Sequence, residues 1–289
     1  MGFADVLDSG KFIITAEVSP PRGTDLSGVL AESHHLQGLV DAVNVTDNQR
    51  AMMRMSPMVL CHKLEEAGFT TIMHITCRDR NRLALQSDLL AAHALGIRNV
   101  LAMSGDYPTM GDQPSAKPVF DLDSVQLLQM IEKMNNGFDF QDEPIDGPTS
   151  LCAGAVANPG ARPLALQLLK LNKKVSAKAR FIQTQAVFDA EVFHEFADVM
   201  KSTGIPLIAG IIPLKSARSA RFMNEKIPGV TIPEDDMRRM EAASDPVSEG
   251  LEIAAETIAR IRQHCRGIHI MPIGGQGNTR RLLEMCGLD

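Results

Sequence analysis

Tryptophan is missing from the 289 residues, tyrosine occurs once, at Tyr107, and aromatic side chains make up 4% of the chain. So few flat side chains provide no platform for stacking bases, and a net charge of -6 without any run of Lys and Arg provides no surface for a phosphate backbone. Nucleic acid is therefore excluded as a partner. Five cysteines (Cys61, Cys77, Cys152, Cys265, Cys286) stand far apart with no C-x-x-C pair, so neither a zinc site nor an iron–sulfur cluster has its usual spacing. They are expected to be reduced and mostly buried. No stretch approaches the roughly 18 uninterrupted apolar residues of a membrane helix. The segment from Met1 to Lys11 lacks the charged-then-apolar layout of a signal peptide. The expectation is a cytoplasmic protein with no membrane insertion.

What the chain does contain is one phrase repeated: an apolar run rich in β-branched residues, a polar knot, then ten to twenty residues of helical character. Eight such runs are expected to be strands: Phe12–Ser19, Asp41–Asp47, Thr70–Cys77, Asn99–Asp106, Ser150–Asn158, Ala179–Val187, Pro206–Pro213 and Gly267–Gly274. Their ends at Glu17, Thr46, Cys77 and Asp106 fall about thirty residues apart, the length of one strand–helix unit. The fold class this predicts is α/β, a (β/α)8 TIM barrel forming a single catalytic domain over residues 1–289. Two intervals break the beat. One, Asp106 to Ser150, follows a strand end and is placed to overhang the mouth; the other, Pro213 to Gly267, predicts an extra helix (Pro233–Ala242) between strands 7 and 8.

Reacting groups in barrels project from the carboxy-terminal strand ends, and here those ends are unusually polar. Glu17 lies inside Ile13-Ile14-Thr15-Ala16-Glu17-Val18. Burial there would raise its pKa and make it a general acid, or a salt bridge to Arg22 or Arg78 would hold it as a structural anion; both readings stand. Asp106 follows Ser104-Gly105, where glycine lets the backbone pass close to a planar ligand, although a turn cap is an equal reading. Gln185 offers an amide suited to the edge of a heterocycle. His74 alternates with apolar neighbours and has no second His or Cys at ligand spacing, so no metal site is expected. No strand end carries a lysine for a Schiff base. The run Gly274-Gly275-Gln276-Gly277-Asn278-Thr279 reads as a tight turn.

Five segments in order resemble the methylenetetrahydrofolate reductase family in its short bacterial form. They are Ala16-Glu17-Val18-Ser19-Pro20-Pro21-Arg22, Val45-Thr46-Asp47, His74-Ile75-Thr76-Cys77, the stretch from Gly96 to Ala102 with Ser104-Gly105-Asp106, and Gln185-Ala186-Val187-Phe188-Asp189. The resemblance implies a flavin enzyme that reduces 5,10-methylenetetrahydrofolate to 5-methyltetrahydrofolate. It makes Glu17 the acid that opens the imidazolidine ring, Asp106 the negative charge beside the resulting cation, and Gln185 a folate contact. Thr46, His74, Ser104, Gly105, Asp106, Phe120 and Lys174 match flavin-contacting positions, with Phe120 as a stacking ring and Lys174 as a phosphate contact. Ser219 and Met223 fall at substrate-binding positions where relatives carry an amide and an aromatic ring. Ser104 replaces an arginine, and Gln167 and Lys170 replace an Asp and an Asn, so FMN stays open beside the favoured FAD. The electron donor is NADH, NADPH or a partner protein, and a homo- or hetero-oligomer is expected. Two rivals stand beside this reading: a flavin-free pterin-binding methyltransferase barrel, and an accessory barrel subunit without activity.

Overall fold

Eight parallel strands pair in strict chain order and close on themselves, β1 against β8. The computed structural model describes residues 2–272 and 275–288. The strands are β1 (Ile13–Val18), β2 (Ala42–Val45), β3 (Thr71–Thr76), β4 (Asn99–Met103), β5 (Cys152–Ala157), β6 (Phe181–Ala186), β7 (Leu207–Ile211) and β8 (Gly267–Ile270). All eight lie inside the runs expected from the sequence, trimmed at their ends. Gly274, expected at the end of the eighth strand, lies outside the described residues.

Helices cover the barrel: α1 (Phe3–Asp8), α2 (Ser27–Ser33), α3 (Pro57–Glu66), α4 (Arg82–Ala94), α5 (Ser124–Asn135), α6 (Leu164–Ser176), α7 (Ala190–Lys201), α8 (Ala217–Lys226), α9 (Glu234–Ala242), α10 (Pro246–Ile261) and α11 (Gly277–Met285). Their starts follow local chemistry. The Asp123 carboxylate accepts from the Val125 and Gln126 amides, Asp189 from Glu191 and Val192, and Asp245 from Val247 and Ser248 ahead of Pro246. Between β7 and β8 stand the expected helix α9, the long α10 and a further helix, α8.

Because side chains alternate along a strand, each strand sends every second residue into the lumen, and these residues stack in layers. The lowest layer is apolar: Ile13, Ala42, Ile72, Leu101, Cys152, Phe181 and Ile208, sealed from below by Phe3, Val6 and Leu7 of α1. Phe3 meets Phe181 edge-on, with ring centroids 5.3 Å apart. Phe181 occupies space that Gly154 leaves free, since a Cβ on Gly154 would sit 2.2 Å from the ring. One layer higher the lumen turns polar, with Thr15, Asn44, His74, Gln183 and His269 all buried.

Gly154→Ala should destabilise the fold by about 1–3 kcal/mol, because the Phe181 ring is enclosed on every side and has no free space to enter. Urea denaturation checks this, and an unchanged midpoint would show that the floor of the barrel is loosely filled.

Candidate functional site

Above the polar layer, the strand ends enclose a cleft of about 630 Å³. A smaller cavity of about 200 Å³ between Arg162, Phe188 and Thr231 gathers fewer reactive groups. Glu17, Thr46, His74, Ser104, Gly105, Asp106, Lys174 and Gln185 all line the larger cleft, so eight of the residues singled out in the sequence converge there. The closed parallel barrel makes this inevitable for residues at carboxy-terminal strand ends.

Glu17 does not pair with Arg22 or Arg78, which are held by Asp112 and Asp79. Its partners are Gln49, whose Nε2 donates to Oε1 at 3.0 Å, and the buried His269, whose Nε2 lies 3.9 Å from Oε2. The second distance is that of an ion pair, too long for a hydrogen bond. Burial works to raise the Glu17 carboxyl, but His269, His74 and Gln49 outweigh it and leave it below the ordinary carboxylate value. Of the two readings, the carboxyl is the one held as an anion, but by His269, His74 and Gln49 and not by Arg22 or Arg78. Gln276 fixes the strand end by donating to the Glu17 carbonyl at 2.9 Å.

His74 sits in the lumen beside Asn44, whose Nδ2 lies 3.1 Å from His74 Nε2 and donates to Gln183 Oε1 at 2.9 Å. Burial, opposed by Glu17, lowers the His74 pKa to about 4, so the ring is neutral at physiological pH. On β6 the pairing with β7 slips between Gln183 and Ala186. That irregularity turns Gln185 so that its Oε1 accepts from the Ala186 amide at 2.9 Å while the residue lines the cleft.

Asp106 is exposed within the cleft; among the described residues its one hydrogen bond is at the main-chain carbonyl, which accepts from Arg78 Nη1 at 3.3 Å. The glycine before it has φ +91°, and a Cβ there would lie 3.0 Å from Arg78 Cβ and 3.1 Å from Thr76 Cβ. The close approach that Gly105 permits is therefore to β3 and its loop, and the left-handed turn adds a second reason for glycine.

Three expected residues stand elsewhere. Phe120 packs its ring on Tyr107, centroids 5.2 Å apart, outside the cleft lining. Met223 is buried in a side cluster with Phe188, Leu214 and Ile253. Ser219 closes the first turn of α8, its Oγ donating to the Ser216 carbonyl at 2.8 Å.

The structure also adds residues that the motifs did not reveal. Asn48, Arg50 and Ala51 hold left-handed backbone (φ 45°, 56° and 55°) without a glycine among them. Each such residue costs on the order of 1 kcal/mol or more. The surroundings enforce it: Asn48 Oδ1 accepts from the Arg54 amide, Asp112 from the Met53 amide, and Gly111 lies so close that a Cβ would reach 1.9 Å from the Ala51 carbonyl oxygen. The loop delivers Gln49 to Glu17. Lys170, Lys173 and Lys174 of α6 line the far side of the cleft, after the strand diametrically across the barrel from β1, and no carboxylate pairs with them among the described residues. Lys174 donates to the Val156 carbonyl at 2.6 Å, and burial with Lys170 nearby lowers its pKa to about 8.

The family model for methylenetetrahydrofolate reductase matches residues 3–287. The chain belongs to the methylenetetrahydrofolate reductase family. Among its relatives, the 5,10-methylenetetrahydrofolate reductase of Salmonella typhimurium is 28% identical, over 76% of this chain and 72% of that protein. The probable methylenetetrahydrofolate reductase (NADPH) of Caenorhabditis elegans is 28% identical over 81% of this chain, which spans only 34% of that longer protein. In fold, a Clostridium thermocellum protein that binds two copies of 5-methyl-5,6,7,8-tetrahydrofolic acid superposes with a TM-score of 0.66 at 14% identity, covering 98% of this chain and 96% of that one. The 7,8-dihydropteroate synthase of Vibrio fischeri gives 0.51 at 8% identity, covering 96% and 92%. At those identities the likeness is one of fold. No helix among the described residues is long and apolar enough to cross a membrane.

The neutral state of His74 yields a pH prediction for this family member. An unfolded histidine takes up a proton near 6.5 and the folded one near 4, so the unfolded state binds more protons between these values. Stability is complete above pH 6.5 and should fall by up to roughly 3 kcal/mol as pH drops toward 4. His74→Asn should flatten that slope, as urea titrations at a series of pH values would show.

Proposed function

We propose that this chain reduces 5,10-methylenetetrahydrofolate to 5-methyltetrahydrofolate with a bound flavin, FAD before FMN. The observation that carries the reading is one shared cleft holding Glu17, Asp106 and Gln185 in a chain of this family. The cleft also suits a phosphorylated heterocycle by its own chemistry. It has amides, hydroxyls and a carboxylate around Thr46, Asp106 and Gln183, apolar surface from Leu101, Met103 and Val156, and lysines across the mouth that have no carboxylate partner among the described residues. An orphan acceptor, the buried Asn44 Oδ1, lies in the layer just below.

A bound flavin would supply hydride transfer from a nicotinamide donor, or from an electron-delivering partner subunit, to the methylene carbon of the substrate. The chain's own residues do the rest. Glu17 places its carboxyl at the departing nitrogen and hands over a proton as the substrate ring opens. Its anion is favoured while Gln49 and His269 face it. Substrate that displaces Gln49 removes one of those contacts and shifts the carboxyl toward its protonated form. Asp106, fixed by the Gly105 turn, sets a negative charge beside the cation formed on the substrate. Gln185 holds the pterin edge by its amide, and Lys174 with Lys170 and Lys173 holds the phosphate end of the flavin. Ser219 and Met223 carry no role in this scheme.

The test is anaerobic. Purified protein should be yellow, bleach with NADH, NADPH or a low-potential dye, and recover its colour on addition of methylenetetrahydrofolate. Glu17→Gln should keep flavin and thermal stability while reoxidation by that substrate slows at least about 100-fold. Near-normal reoxidation in the variant would remove Glu17 from its role, and a colourless protein that binds folate would favour a flavin-free methyl-transferring barrel. A second expectation follows from Lys174: flavin affinity should fall as pH rises through about 8, where the ammonium is lost, and Lys174→Met should abolish that dependence.

A further inference from the structure

The left-handed loop after β2 presents two neighbouring side chains in different directions. Gln49 reaches inward to Glu17, and Arg50 stands on the rim of the same cleft with its guanidinium 5.1 Å from the centroid of Phe222 on α8. Phe222 is 41% exposed, so the stacked pair is open to solvent. Four arginines near the mouth are consumed by carboxylates: Arg22 by Asp112, Arg78 by Asp79, Arg80 by Asp47 and Arg82 by Asp121. Arg50 has no carboxylate and no hydrogen-bond acceptor for its guanidinium among the described residues, and the guanidinium, in the lining of the same cleft, lies over the Phe222 ring.

A guanidinium lying on an aromatic face keeps the fork of its N–H donors free at the edge, ready for a planar two-oxygen acceptor. The backbone beneath is already locked into its unusual conformation, so little order is lost on binding. Topology selects the ligand. β7, β8, β1 and β2 are neighbours in the closed sheet, so Phe222 and Arg50 flank Glu17, whereas the α6 lysines lie across the mouth. For a pterin ring seated at Glu17 as proposed, this rim is the cationic edge of the mouth next to it.

We infer that Arg50, braced on Phe222, is a subsite for a carboxylate on the tail of the substrate, the glutamyl end of a reduced folate. The inference rests on the folate reading given above and adds a residue that determines affinity for the tail and takes no part in the chemistry.

Binding to the flavin-loaded protein tests it, with 5-methyltetrahydrofolate and its diamide, in which both tail carboxylates are neutral. Wild type should bind the dicarboxylate on the order of 10-fold tighter, a preference that shrinks with added salt. Arg50→Gln should bind both ligands with the affinity of the diamide, and Phe222→Leu should lose part of the preference, each with flavin content and Tm unchanged. Retention of the wild-type preference by Arg50→Gln overturns the assignment. So does weaker NADPH binding in that variant with the folate preference intact, which would give Arg50 to a donor phosphate. Equal binding of both ligands by wild type sinks only the Arg50 subsite; binding of neither sinks the folate reading as well.

Discussion

A layer of polar side chains crosses the barrel lumen where a barrel of this kind could have been oily throughout, and the cleft is organised by the need to satisfy it. Thr15, Asn44, His74, Gln183 and His269 are buried one turn of the pleat above an apolar floor. Unpaired, each would cost a kilocalorie or more. They form two chains, which leave Asn44 Oδ1 and His269 Nε2 without a hydrogen-bond partner among the described residues. Asn44 bridges His74 and Gln183 through its one amide nitrogen, and Thr15 Oγ1 sits 2.9 Å from His269 Nδ1. The first chain fixes the side chains of three strands relative to one another. The second turns His269 Nε2 toward Glu17. Every functional assignment above stands on this platform, because a group is useful in catalysis only when its neighbours hold it still.

Charge is then divided across the mouth by the order of strands. Glu17 follows from β1, Asp47 from β2 and Asp106 from β4, while the lysines arrive on α6 after β5. Asp47 is fully engaged, accepting from Thr76 and Arg80, so it serves as scaffold and not as a free anion. Glu17 and Asp106 keep carboxylate oxygens open to the cleft. A ligand with an electron-poor ring at one end and phosphate at the other would find both ends matched without any movement of the barrel.

The barrel was legible because each buried strand is a near-continuous apolar run and the runs recur at the length of one strand–helix unit; every strand lies within its expected bounds. The mouth was legible for the same reason: polar residues at the ends of such runs have nowhere else to point. What could not be read was pairing between distant segments. His269 alternates with Ile268 and Ile270 just as His74 does with its neighbours, but only closure of β8 onto β1 brings it to Glu17. The sequence Asn48-Gln49-Arg50-Ala51 contains no glycine to announce a left-handed loop, which is imposed by Gly111 and Asp112 from the loop after β4. α8 was hidden because its apolar residues are few and its face is largely polar. Phe120 and Met223 found apolar partners within the chain, as such side chains usually do.

The geometry around His269 shows how a distant strand sets the electrostatics at the mouth. Thr15 Oγ1 lies 2.9 Å from His269 Nδ1 and anchors one edge of the ring. The opposite nitrogen faces the Glu17 carboxyl at 3.9 Å, with no hydrogen-bond partner among the described residues. Of the groups around Glu17, this ring does most to oppose burial and hold the carboxyl below its ordinary value, ahead of His74 and Gln49. In the proposed reaction, a substrate that takes the place of Gln49 and strips water from the cleft removes the smallest of those contributions while adding to burial, so the balance at Glu17 moves toward the protonated form that a general acid needs.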